Sequence, residues 1–143
     1  MAFVEYDQIQ DDAVAYLKSA TSSFSTIMRD AGDIDFHFGN FPILDLRYLN
    51  IVPEVRAGNQ YYVQTILEYE IACVDLSSRM EAAKLRNQLI NEVHAAIQQN
   101  RRFSSFVDTT IIGPVEFEIV EDEKQGAFVA SAVGQLWLYS YAQ

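Results

Sequence analysis

The side chains best suited to nucleophilic or acid–base chemistry in this sequence are two histidines and one cysteine. A reaction centre needs such a group held against a partner that orients or activates it. His94 falls at the rim of an apolar helical stripe without an identifiable partner, and His37 lies between Phe36 and Phe38 in a loop-like stretch; both read as packing residues. Cys73 falls on the apolar face of a strand, where a thiol serves as a small filler rather than a nucleophile. Five acids, Glu116, Glu118, Glu121, Asp122 and Glu123, could attract a hard cation such as calcium. They lack the loop spacing of an EF-hand and read instead as a solvated strand face and turn. No Walker A run, GxGxxG, GxSxG or HExxH occurs. No catalytic, cofactor-binding or metal-binding set is therefore assigned, and the chain reads as a non-enzyme.

Contact chemistry is better represented. Arg101, Arg102, Phe103 and Phe106 cluster in one short segment, and Arg56, Tyr61 and Tyr62 in another. Arginine and aromatic residues are the types enriched at interface cores, so these seven are candidate contacts with copies of the chain or with partners. The alternative stands beside it with equal weight: the phenylalanines are core and the arginines cap a helix.

The elements that must position these groups are organised around residues 77–100. Ala82, Leu85, Leu89, Val93, Ala96 and Ile97 recur at the three-and-four spacing of one helical face. Ser78 and Glu81 form a capping-box pattern at its start, and Asn100 with Arg101 and Arg102 suits its end. An earlier helix is expected over 7–28, opened by Asp7 and Gln10 and prone to end early or fray in the serine- and threonine-rich residues 19–26, with a short extended piece at 34–38. Residues 43–52 read as a strand ended by Pro53, with Ile43, Asp45, Arg47, Leu49 and Ile51 sharing a face. Residues 60–75 are the clearest strand, with Tyr61, Val63, Thr65, Leu67, Tyr69, Ile71 and Cys73 on one side. These two strands make a hairpin whose loop falls near 53–59 and whose length projects beyond the body. A second hairpin joins 115–121 to 127–141, after turn signals at Gly113-Pro114. The expected fold is α+β: a mainly antiparallel four-stranded sheet, two helices packed on one face, and a long projecting β-hairpin.

At 143 residues the chain is expected to be one domain, 1–143. A net charge of −10 disfavours nucleic acid as a bound partner. The charge is uneven: residues 79–106 hold five bases and two acids, inside a chain otherwise acidic. That basic segment can meet acidic segments of its own chain or of a neighbouring copy. No apolar run approaches the ~20 residues of a membrane span, and MAFVEYDQ does not have the form of a signal peptide. With a single cysteine, no internal disulfide forms, and the chain reads as cytoplasmic.

Two stretches, LEYEIACVDLSSRMEAAKLRNQLINEVHAAI and VEFEIVEDEKQGAFVASAVGQLWLYSY, have a familiar layout. A strand, a short polar turn, a helix rich in arginine and asparagine, and a late strand of alternating small and apolar residues resemble the tail terminator proteins of long-tailed phages. Related tail-completion and head–tail joining proteins share that layout. The resemblance implies a small structural virion protein, made in the host cytoplasm, that forms a homo-hexameric ring. Such a ring sits at the head-proximal end of the tail tube, stops tube polymerisation and offers a joining surface to head-connector proteins. DNA passes through it without sequence-specific binding, and it carries no cofactor and contacts no membrane. The alternatives are another neck component, such as a tail-completion or head-closure protein, or a small ligand-binding α+β domain. Leu89→Asp places a charge beneath the main helix and is expected to abolish folding. A soluble, cooperatively melting variant would show that the helix is seated elsewhere.

Overall fold

The computed structural model describes residues 4–31, 41–58, 60–124 and 126–141, with backbone alone at 55–57 and 60. His37 and the extended piece expected at 34–38 lie outside the described residues. The first helix, Tyr6–Ala20 (α1), ends well short of Met28. Serines and threonines crowd residues 19–26 and compete for backbone hydrogen bonds. Thr21 marks the stop, its hydroxyl and amide both donating to the Leu17 carbonyl, at 2.6 and 3.0 Å. The N-cap residue is Glu5, without a side-chain cap, and Asp7 turns instead to Arg29 at 2.8 Å.

The residues beyond Ala20 contain a strand in place of the expected helix end. Thr26–Arg29 (β1) pairs in parallel with Ile43–Ala57 (β2). Next come Gln60–Asp75 (β3), Arg79–Gln99 (α2), Thr109–Asp122 (β4) and Ala127–Tyr141 (β5). The sheet is therefore five-stranded and mixed, in the order β1-β2-β3-β5-β4, rather than four-stranded. The added strand escapes a local reading because parallel neighbours are joined by a crossover and leave no hairpin signature. All other pairings are antiparallel, and both helices cover the same face, as expected.

Two proline signals fall inside strands. β2 continues through Pro53, at a register shift between Val52 and Val55, and turns only at Gly58, whose φ is 63°. β1 covers β2 no further than Leu46, so Pro53 occupies an edge, where a missing N–H costs no ladder bond. β4 likewise passes Gly113 and Pro114 as a bulge on the opposite edge. Another shift, between Tyr48 and Asn50, reverses the facing of the later β2 residues. Ile51 thereby pairs with Thr65 on the helix side instead of sharing a face with Asp45 and Arg47. The finger is long, but β5 accompanies β3 as far as the Tyr62–Tyr141 pair, so only the last pairs before the turn run past it.

α2 is capped as its sequence indicates: Glu81 N–H donates to Ser78 Oγ at 3.0 Å. The reciprocal half of the box is taken by Asp75, whose Oδ1 accepts from the Ser77 and Ser78 amides at 2.7 and 3.0 Å. Ala82, Leu89, Val93, Ala96 and Ile97 are buried against the sheet. Each of the larger aliphatic side chains contributes about 1.5–3 kcal/mol by burial. Beneath them β5 presents Ala130, Ala132 and Gly134 on the helix side. Tyr69, fully buried, lies over Gly134, and its hydroxyl is 2.6 Å from His94 Nε2 on α2. A Cβ on residue 134 would stand 2.1 Å from Tyr69 Cζ. Gly134→Ala is therefore expected to destabilise by about 3 kcal/mol in urea unfolding. In a Tyr69→Ala background the same change should cost little; an equal cost in both backgrounds would show that the contact is not the cause.

Candidate assembly surface

The two contact clusters meet at one end of the molecule. Tyr62 on β3 packs edge-on against Tyr139, at 5.4 Å between ring centroids, and against Tyr141, at 6.0 Å. The Tyr141 amide donates to Asp108 Oδ2 at 2.7 Å, and the Asp108 amide to the Tyr139 carbonyl at 2.8 Å. Asp108 also faces Arg102 at 4.0 Å, while the Ser140 hydroxyl donates to the Phe106 carbonyl. The segment beyond α2 is thus laced to the end of β5 and, through it, to the base of the finger. Arg101 is anchored here: its Nη1 donates to the Thr110 carbonyl at 2.7 Å, and the Thr110 hydroxyl donates to the Arg101 carbonyl at 2.9 Å.

Not all seven candidates face outward. The Arg102 side chain is 69% exposed, and Tyr61 is exposed beside the turn. Phe103 stacks on Tyr16 of α1 at 6.2 Å, and both Phe103 and Phe106 pack against the core. The Arg56 side chain lies outside the described residues. Tyr139, Tyr141 and Asp108 complete the surface and were not singled out by sequence. Tyr139 and Tyr141, two apart on one strand, share a face, which is the signal that could have found them.

The helix-free face of the sheet is acidic. Arg47 is clasped by Glu68 at 2.6 Å, Glu70 at 3.3 Å and Asp45 at 3.5 Å. Burial would lower the Arg47 pKa, but the Glu68 and Glu70 carboxylates outweigh it and hold the guanidinium protonated. Asp45 is fully buried, and desolvation raises its pKa despite the Ala31 amide at 3.2 Å. Glu116 and Glu118 extend this face, whereas Glu121 falls on the helix side, so the five acids of β4 and its turn do not converge. Among the described residues no group of three or more histidines, cysteines or acids is disposed to hold a metal ion. Among them, too, no helix is long and apolar enough to cross a membrane. Burial pushes the Cys73 thiol up to about 11, away from thiolate reactivity.

These features define a class: a helix-on-sheet α+β domain with an acidic helix-free face and an end lined by aromatic and arginine side chains. The whole chain aligns with the sheath/tube terminator of an extracellular contractile injection system, PVC, solved by cryo-EM in its extended state, with a TM-score of 0.52 and 11% identity. It spans 58% of that protein's length. A chain from the virion of a native gene transfer agent particle aligns over 94% of this chain and 91% of its own, at 8% identity. Its TM-score of 0.40 is too low to carry an argument. Neither a protein-family model nor a curated protein matches the sequence. At such identities the likeness establishes a shared fold, and in fold the chain agrees with the tail-terminator resemblance.

Burial lowers the His94 pKa, so the folded chain refuses a proton that the unfolded chain accepts near its ordinary value of 6.5. In the tautomer with Nε2 unprotonated the Tyr69 hydroxyl donates to it, and protonation of the ring removes that acceptor. His94 therefore contributes stability that is full above about pH 6.5 and is lost as pH falls below it. Melting temperature should drop between about pH 7 and about pH 5.5, more steeply than in His94→Gln. Parallel slopes would remove His94 as the cause.

Proposed function

We propose that this chain is a structural subunit of a phage or phage-like tail, a terminator that assembles from copies of itself into a hexameric ring. In this reading it works as a single domain and the ring occupies the head-proximal end of the tail tube. There it halts tube polymerisation and presents a surface to head-connector proteins. The observation that carries the reading is the fold shared, over the full length of this chain, with a sheath/tube terminator. The end surface supplies what a closed ring needs: Arg102 and Tyr61 are exposed beside an aromatic cluster, where a different patch on the next copy can meet them. The acidic helix-free face suits a passage through which DNA moves without being held, since it repels phosphate. No step in this function requires a reaction centre, so the chain acts as a non-enzyme.

Light scattering on the purified chain, alone and with tail tubes, is expected to give a hexamer or a six-fold cap at one tube end. Arg102→Glu should keep the melting temperature while weakening assembly, because among the described residues its side chain makes one long ionic contact, at the surface. A chain that stays monomeric and ignores tubes under all conditions would end this proposal.

A further inference from the structure

We propose that the outer edge of β4 is a docking site for an extended segment of another protein in which basic and apolar side chains alternate. The proposal needs only the sheet edge and stands whether or not copies close into a ring. β4 ends the sheet, with no strand beyond it among the described residues. Past the bulge, Val115–Asp122 keeps unbroken register with β5, so its outward backbone groups form a regular row, of which the Glu118 carbonyl accepts from Arg86. Neither proline nor lysine interrupts these eight residues; four of them are acids, which repel a like-charged strand and leave the edge open to a basic one.

The side chains specify what would pair there. Glu116, Glu118 and Asp122 fall on the bare face, while Phe117 and Ile119 fall on the helix side, with Phe117 58% exposed. An added strand would place one row of its side chains beside carboxylates and the other beside Phe117. The chain supplies a first instance of the preference. Arg86 of α2 lies across this strand, its guanidinium 4.8 Å from the Phe117 ring centre, and donates to the Glu118 carbonyl at 3.3 Å. That contact is longer than the ~2.9–3.0 Å of a well-made amide bond, so a strand N–H can improve on it.

A second copy fits poorly. Pairing β4 with β4 across a two-fold axis would set its glutamates against glutamates. The other edge of the sheet is interrupted by two register shifts and Pro53, and β1 covers its first residues. The occupant is therefore a cationic strand from a different protein.

The probe is a fluorescein-labelled peptide of nine alternating lysines and valines, titrated into the full chain at low salt and followed by anisotropy. Two further peptides carry backbone N-methyl groups, one on the lysines and one on the valines. An edge strand donates through alternate residues only, so one methylated peptide should bind as the parent does and the other about tenfold more weakly. Glu116→Gln combined with Glu118→Gln should weaken the parent peptide by roughly fivefold. Equal binding of both methylated peptides, unchanged affinity for the double variant, or no saturable binding of the parent overturns the proposal.

Discussion

The seating of α2 on β5 depends on a run of small side chains. Ala130, Ala132 and Gly134 face the helix in succession, and Ala82 and Ala96 answer from above. Small residues on both sides let the helix approach closely, and Gly134 goes further by letting the Tyr69 ring lie on bare backbone. The phenol then reaches His94 and ties helix to sheet with a polar contact inside an apolar layer. A larger residue at any of these positions would lift α2 and with it the segment beyond Gln99. Since that segment carries Arg101, Arg102 and Asp108, the geometry of the end surface is inherited from the packing beneath the helix.

The same economy governs the edges. Both prolines within strands sit where the sheet has no further neighbour among the described residues, and both accompany register shifts. An interior strand could not absorb them, because each would remove a ladder bond. Their placement leaves the two borders unlike each other: a bulged one along β2, and a regular one along the second half of β4. Arg29 performs a comparable task at the short strand β1, where three acids, Asp7, Asp11 and Asp30, converge on it. These contacts hold α1 to a border that only four residue pairs attach to the sheet.

Local signals were legible wherever structure is decided locally. The Ser78 cap and the stripe from Ala82 to Ile97 place α2 within a residue or two, and strict alternation assigns both faces of β3. β1 was not legible: Phe24, Ile27 and Met28 fit helical spacing, and only a partner across a crossover makes them a strand. Pro53 and Gly113-Pro114 read as ends because a sequence does not announce which strand will be an edge. Arg86 was hidden because its charge masks a buried position, satisfied by a carbonyl and a ring on β4. At the end surface the residue types were recognised, but their union was not. It rests on β3 pairing with β5, two segments separated by a helix and a strand.

That last pairing bears on how the molecule comes into being. β5 lies between β3 and β4 in the sheet yet follows both of them in the sequence. On the ribosome it therefore emerges after them. Until it does, the first hairpin and β4 lack the neighbour that joins them, and α2 has no floor along that side. Completion then proceeds through contacts distant along the chain, the slow kind of assembly in which nascent molecules are most exposed to one another.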